Sequence, residues 1–265
     1  MKVTILGCGP SYGLPDPVFG FRECDPNNPK NERTRSAILV EEKGTSILFD
    51  TPPELRLQLL KNKIKKIDAV IWTHMHADHT AGIDDLRSFT YMDCTAYSHA
   101  DVHTIPAYIN ATDIDEFTRR YGCYTESFTY LNQTKPPLKL HLIKANQPFS
   151  IKGVELFPLR QDHGFGDSLG FKIGERLSYN TDLCDFYDKS ALEKLKGIKV
   201  WILDCISPRE NNKHLWCDRV FEWVSIVKPE RTILTHMGSH MDYETLKKTL
   251  PKGIEPAYDG MVIEL

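Results

Sequence analysis

The sequence predicts an α/β fold whose strands run out into metal-binding side chains, and three observations carry that expectation. Short apolar runs recur along the chain and alternate with helical patterns, the mark of α/β architecture. Several of these runs stop abruptly at a His or an Asp. With 265 residues, 41% hydrophobic and 26% charged, the chain has enough apolar mass for one large domain over residues 1–265.

Residues 2–6 form the first strand, followed by the loop Gly7-Cys8-Gly9-Pro10-Ser11-Tyr12-Gly13-Leu14-Pro15. A dinucleotide-binding turn would open a helix here, but Pro15 and Pro17 oppose one, which leaves a tight loop with Ser11 as a candidate phosphate donor. Residues 36–40 and 46–50 read as a hairpin around a polar, glycine-containing turn. Thr51 is the expected cap of a helix carrying Leu55, Leu57, Leu59, Leu60 and Ile64. Residues 68–73 are a buried strand, and the mixed stretch 80–89 is expected to hold a short helix. A strand is expected at 95–97, then a mostly helical and irregular, aromatic-rich insertion over 99–137 that shapes the mouth of a pocket. His99 and His103 in this insertion read as structural. Alternation over 138–143, 149–151 and 154–160 signals a second, antiparallel set of strands. Further strands lie at 168–173, 176–179, 200–203, 231–234 and 261–265, with a helix over 242–249.

Composition narrows the function. A net charge of −3 provides no global basic field of the kind used by non-specific nucleic-acid binders. Seven cysteines, at 8, 24, 94, 123, 184, 205 and 217, include no C-x-x-C pair and read as reduced. No apolar run approaches a membrane span and residues 1–7 lack a signal-peptide pattern, so the expectation is a cytoplasmic protein without membrane attachment.

The chemistry concentrates in Asp68-Ala69-Val70-Ile71-Trp72-Thr73-His74-Met75-His76-Ala77-Asp78-His79. A lone His is usually structural, but an H-x-H-x-D-H cluster at a strand end is not a lone His. Four crowded donors would be costly without a shared cation, and their close spacing suits a loop better than a helix. His163, Asp182 and His236 also stand where expected strands end, so one sheet edge could gather all seven.

With these residues in order, the chain resembles the metallo-β-lactamase fold superfamily over essentially its whole length. The resemblance implies a four-layer αββα sandwich with a dinuclear centre. His74, His76 and His163 would hold one metal, Asp78, His79 and His236 the second, and Asp182 would bridge them. Imidazole and carboxylate donors suit Zn or Mn, and a shared carboxylate would hold the ions roughly 3.5–4 Å apart, with a bridging hydroxide as nucleophile.

Asp at 182 resembles the phosphodiesterase branches, ribonuclease Z and the PhnP type, rather than true β-lactamases. The Gly7–Pro15 loop, Gly82-Ile83-Asp84-Asp85-Leu86-Arg87 and Glu255-Pro256-Ala257-Tyr258-Asp259-Gly260-Met261 are similar to the PhnP type. His214 falls where such enzymes place an additional histidine. Its alternative is a surface histidine near a helix start; as an imidazolium it would be the general acid, catalytic together with Asp78. Arg87 is a second phosphate candidate, or else a buried partner of Asp84 or Asp85. One departure stands out: PhnP's structural zinc uses clustered N-terminal cysteines, and here Cys24 is alone in that region, so no such zinc is expected. His240 receives no role.

The resulting expectation is a metal-dependent phosphodiesterase for small cyclic or nucleotide-like substrates. The alternatives are a ribonuclease Z-like nuclease and a lactone or thioester hydrolase on the same centre. A small phosphodiester is the expected partner, RNA less so, and a homodimer stays open.

Overall fold

The structure, a computed structural model, describes residues 1–90, 103–126, 135–164 and 166–265. The strand expected at 95–97, with His99, lies outside these residues.

The first half of the chain begins with β1 (Lys2–Gly7), β2 (Ala37–Glu42) and β3 (Thr45–Phe49), then α1 (Leu55–Lys61) and β4 (Ala69–Ile71). After the strand comes the histidine- and aspartate-rich motif with α2 (Ala77–Thr80), then a 3-10 helix (Ile83–Thr90), β5 (Ile105–Asn110), α3 (Ile114–Tyr121) and β6 (Leu138–Ile143). The second half holds β7 (Phe149–Ile151), β8 (Val154–Asp162), β9 (Asp167–Ile173), β10 (Leu177–Asn180), β11 (Asp185–Phe186) and α4 (Ala191–Lys194). It closes with β12 (Val200–Asp204), α5 (Cys217–Val227), β13 (Arg231–Thr235), α6 (Tyr243–Thr249), β14 (Ile254–Pro256) and β15 (Val262–Glu264).

Two sheets result, ordered β15-β1-β2-β3-β4-β5-β6 and β11-β8-β9-β10-β12-β13-β14, with β7 beside β8. Alternation along the strands builds the layers. Ile47, Phe49, Ala69 and Ile71 face the second sheet in one core, where Phe49 packs edge-on against Phe171 and Tyr179. Leu48, Val70 and Trp72 point the other way, into a second core with Leu55, Leu59 and Phe117 from the helices. Strands buried on both faces read as unbroken apolar runs, which is why β3 and β4 are so legible. On the outer face of the second sheet, Trp201 of β12 stacks on Trp223 of α5. The αββα sandwich expected from the sequence is the observed fold.

Several local expectations are corrected. Thr51 does not cap α1; the cap position belongs to Glu54, and the Thr51 hydroxyl accepts from Trp72 Nε1 at 2.8 Å and donates to the carbonyls of His79 and Thr80. The insertion contains β5, which pairs in parallel with β4 and β6. β6 therefore belongs to the first sheet, since alternation reveals a strand but not the sheet it joins. The helix after the motif is 3-10, and the motif itself ends in one helical turn, α2.

The register sets the site. β10, β12 and β13 run parallel, with Asn180 opposite Leu203 and Asp204 opposite Thr235, so Asp182, Asp204 and His236 leave the sheet at one edge. Phe49 opposite Ile71 brings Asp50 to the same end of the first sheet, and Leu169 N donates to Thr73 O at 2.8 Å, tying the sheets there. Beneath Asp182 lies a buried polar network. Gln161 donates to Ser168 Oγ (2.8 Å) and Thr181 O (2.9 Å), Asn180 donates to Gln161 Oε1 (2.7 Å), and Ser168 Oγ donates to Asp182 O (2.7 Å).

Gly170 is the residue that lets this network close, because a Cβ there would lie 2.0 Å from Asn180 Nδ2 and 2.1 Å from Gln161 Oε1. Gly170→Ala should therefore lower stability by about 1–3 kcal/mol in urea unfolding; an unchanged midpoint would show that the network has slack the geometry denies.

Candidate metal centre

Each candidate ligand is placed by a strand end. β4 runs out at Ile71, the chain bends at Thr73, and His76, extended with φ and ψ of −63° and 151°, leads into α2, which carries Asp78 and His79. His163 follows β8, Asp182 follows β10 and His236 follows β13. Asp182 and His236 both adopt left-handed backbone, φ 55° in each case, and so does Asp50 at φ 67°. Such conformations cost about 1–3 kcal/mol apiece and persist only when the surroundings over-determine them.

The seven sequence-derived residues come together. Donor atoms of His74, His76 and His163 lie within 4.8 Å of one another, as do those of Asp78, Asp182 and His236 and those of His74, His79 and Asp182. Asp182 is central: its Oδ2 is 3.1 Å from His79 Nε2 and 3.3 Å from His236 Nδ1, and its Oδ1 is 3.5 Å from His163 Nε2. Thr181 Oγ1 donates to Oδ2 at 2.6 Å and fixes the carboxylate. His76 is exposed whereas His74, His79, Asp182 and His236 are buried, so the cluster opens to solvent on the His76 side.

The hydrogen bonds assign the ring nitrogens. His79 Nδ1 donates to Asp50 Oδ2 at 2.8 Å, and His163 Nδ1 donates to Lys213 O at 3.1 Å. The Thr73 hydroxyl lies 3.0 Å from Asp50 Oδ2 and 3.0 Å from His74 Nδ1, so it donates to the carboxylate and accepts from the ring. In these three histidines Nε2 is the nitrogen left to face the cluster. The Nε2 atoms of His74 and His236 are buried without a hydrogen-bond partner, and that of His79 meets Asp182 Oδ2 at 3.1 Å. Buried polar atoms are seldom left so, and imidazole nitrogens gathered in overlapping groups with the carboxylates of Asp78 and Asp182 are donors that suit a divalent cation. The residues present fit such a group.

The electrostatics agree. Burial, joined by the charge of His79, holds His74 well below its ordinary pKa, and burial likewise lowers His76 and His236. These rings are neutral at pH 7, the state in which imidazole binds metal. Burial opposes a proton on His79 too, but Asp182, Asp50 and Asp78 outweigh it and raise that ring well above its usual value. Burial would raise Asp182, yet the surrounding histidines, His236 first, hold it well below the carboxylate range.

Two residues that the sequence reading left without roles complete the site. Asp50 orients His79 and Thr73, and Asp204 holds His214 Nδ1 at 2.8 Å and the backbone N of Leu183 at 3.1 Å. Both end apolar strands, the same signal that marked the ligands. His214 is buried, 8% exposed, rather than a surface residue; its ring stacks 4.7 Å from that of His236 and meets that of His163 at 4.8 Å. Burial would lower its pKa, but Asp204 prevails and raises it to about 9.

The site is braced from two sides. The buried Arg33 guanidinium donates to Asn31 Oδ1 at 3.0 Å and to the carbonyls of Met237, Gly238 and Met241, pinning the loop after His236. From the insertion, Arg120 of α3 donates to Met75 O and, at 3.3 Å, to Thr80 Oγ1. The PhnP-like carboxy-terminal segment acts at a distance: Asp259 accepts from Thr34 N at 2.7 Å and Cys8 N at 3.1 Å, anchoring the glycine loop. Ser11, in that loop, gives its carbonyl to Arg35 Nε at 2.8 Å. Arg87 pairs with Asp84 at 2.9 Å, one of the two carboxylates expected for it, but at the surface rather than buried. His240 pairs with Glu23 at 2.9 Å, His103 N donates to Thr90 O, and the buried Cys24 thiol donates to Ser239 O. Concavity alone would point elsewhere: a cavity of about 600 Å³ at the opposite end of the first sheet is lined by Lys2, Glu41, Lys66 and Glu264. There Lys2 lies 2.7 Å from Glu41, and Lys66 lies 2.8 Å from Asp68.

Two packed sheets with helices outside and a His/Asp cluster at one edge define a protein of the metallo-hydrolase class. Residues 45–237 match the family model of the beta-lactamase superfamily domain, and the chain belongs to that superfamily, with the metallo-β-lactamase fold. A crystallised diphosphatase of the PhnP family superposes over 100% of this chain and 97% of its own, with TM-score 0.86 and 28% identity. An octanoyltransferase of Porphyromonas gingivalis is 29% identical over 98% of this chain, which spans only 51% of that relative's length. A ribonuclease Z of Clostridium kluyveri is 33% identical over 88 residues, 32% of this chain and 24% of its own. Among the described residues no helix is long and apolar enough to cross a membrane.

Asp50→Asn should weaken divalent-metal retention about 10- to 100-fold in chelator competition, because the carboxylate sets the His79 tautomer and ring orientation. Retention equal to the parent's would remove Asp50 from that role.

Proposed function

We propose that the protein is a metal-dependent phosphodiesterase acting on small, cyclic or nucleotide-like phosphodiesters. The observation that carries this reading is the Asp204–His214 pair beside His163 and His236. A buried imidazole kept protonated at neutral pH by a carboxylate stands ready to stabilise phosphoryl charge and to protonate a departing alkoxide. Similarity to a PhnP-family diphosphatase supports the same substrate chemistry.

In this reading His74, His76 and His163 hold one divalent cation, Asp78, His79 and His236 hold a second, and Asp182 spans the pair; zinc and manganese both suit these donors. Bound cations would supply the positive charge that activates water and neutralises phosphoryl oxygens. The remaining work falls to the chain itself. Asp50, Thr73 and the Lys213 carbonyl fix the imidazoles, Thr181 fixes Asp182, and Asp204 orients His214. Asp78, at the rim, pairs with His79 Nε2 at 3.4 Å and holds the proton-free form. Ser11 is the remaining phosphate donor, since Arg87 is engaged by Asp84.

A second reading, a thioester hydrolase on the same centre, is favoured by the likeness of nearly the whole chain to part of an octanoyltransferase. A nuclease reading rests on a shorter match and meets a net charge of −3.

Metal-reconstituted protein should hydrolyse cyclic or nucleotide-like phosphodiesters with kcat/KM at least about tenfold above thioesters, lactones and a structured RNA. Turnover of thioesters or lactones with none of any phosphodiester would sink the proposal. His214→Ala should cost about 10²- to 10⁴-fold with poor leaving groups and far less with activated aryl ones; equal losses would argue against proton donation. Because the acid form of His214 is the active one, the rate should persist below its pKa of about 9 and fall as pH rises through it. Asp204→Asn removes the group that raises it, so that alkaline limb should move to lower pH; an unmoved limb would assign it to another group.

A further inference from the structure

Two cysteines bracket the loop that carries His214. Cys205 follows Asp204 at the end of β12 and is fully buried, while Cys217 opens α5 and keeps 9% exposure. Both thiols are free, and their sulfurs lie 3.8 Å apart. The backbone closes the loop at the same place: Ile206 N donates to Leu215 O at 3.0 Å, and Cys217 N donates to Ser207 O at 3.2 Å. Inside it sit the Lys213 carbonyl that holds His163 Nδ1 and the His214 ring that leans on Asp204.

The two sulfurs are not equivalent. The two sulfurs share a hydrogen bond in which either can be the donor, and only Cys217 opens an eleven-residue helix, whose dipole favours a thiolate at that end. The same hydrogen bond, together with burial, holds Cys205 well above its ordinary value. Greater exposure and its place at the helix start make Cys217 the attacking sulfur and the fully buried Cys205 the resolving one.

We propose that Cys205 and Cys217 form a peroxide-oxidisable dithiol whose disulfide restrains the loop positioning His214 and His163. The Cys217 thiolate attacks one oxygen of hydrogen peroxide, the O–O bond breaks, and the departing hydroxide takes up a proton to become water, leaving a sulfenic acid on Cys217. Cys205 gives up its thiol proton, its sulfur attacks Cys217 Sγ, the S–O bond breaks, and a second water leaves. Two thiols and one peroxide become one disulfide and two waters. The sulfurs close from 3.8 Å to about 2.05 Å, a shift the two loop ends must absorb.

The test does not depend on which ester the enzyme cleaves. Zinc-loaded protein is treated with near-stoichiometric hydrogen peroxide, alkylated, and peptide-mapped without reduction, with hydrogen exchange followed over residues 206–217. The expected result is a link between the Cys205 and Cys217 peptides, reversed by dithiothreitol and retained in Cys184→Ser, with exchange at the Ile206 and Cys217 amides slowed about fivefold. Oxidation at Cys123 or Cys184 without that link would overturn the proposal, as would a link that leaves exchange unchanged. In Cys217→Ser the peroxide effect on exchange should vanish, and its persistence would equally count against the pair.

Discussion

The structure depends on one electrostatic problem placed at one sheet edge. His79 gives its Nδ1 proton to Asp50, which aims the Nε2 lone pair at Asp182 and Asp78, 3.1 and 3.4 Å away. A lone pair facing two carboxylates in a buried site is repulsive unless a proton or a metal cation stands between them. His74 and His236 add further unpartnered nitrogens, and burial keeps both rings neutral. A proton serves one such nitrogen, whereas a divalent cation serves several at once.

The scaffold is arranged to hold that arrangement still. Parallel register delivers Asp182, Asp204 and His236 to the same level, and left-handed backbone at Asp50, Asp182 and His236 turns each chain back over the edge. Those conformations are held by specific contacts: the Gln161–Asn180 network under Asp182, Thr73 against Asp50, and the buried Arg33 guanidinium gripping the carbonyls after His236. Packing fixes the strands, hydrogen bonds fix the loops, and the loops fix the donor atoms.

Much of this was legible in the sequence. β3 and β4 are apolar on both faces and read without ambiguity, and the H-x-H-x-D-H cluster declared its chemistry by residue type and by its place at a strand end. His163, Asp182 and His236 carry the same sign, and the fold brings them beside that cluster. What escaped had physical reasons. β5 carries Pro106 amid an aromatic-rich insertion and does not look like a strand until β4 and β6 flank it. Thr51 precedes a helix and resembles a cap, but tertiary contacts with Trp72 and His79 claim its hydroxyl. Asp50 and Asp204 ended strands in plain view, yet nothing local distinguishes an orienting carboxylate from a ligand. The Lys213 carbonyl, being backbone, leaves no sequence trace at all.

In the function proposed above, the seven clustered side chains hold two divalent cations, and calorimetric titration of metal-depleted protein with zinc or manganese counts them. Two equivalents should bind, with proton release from His79 as the cation overrides its raised pKa, and the second equivalent should be lost in His79→Ala. Saturation at one equivalent, or two equivalents undiminished in His79→Ala, would contradict this two-cation reading.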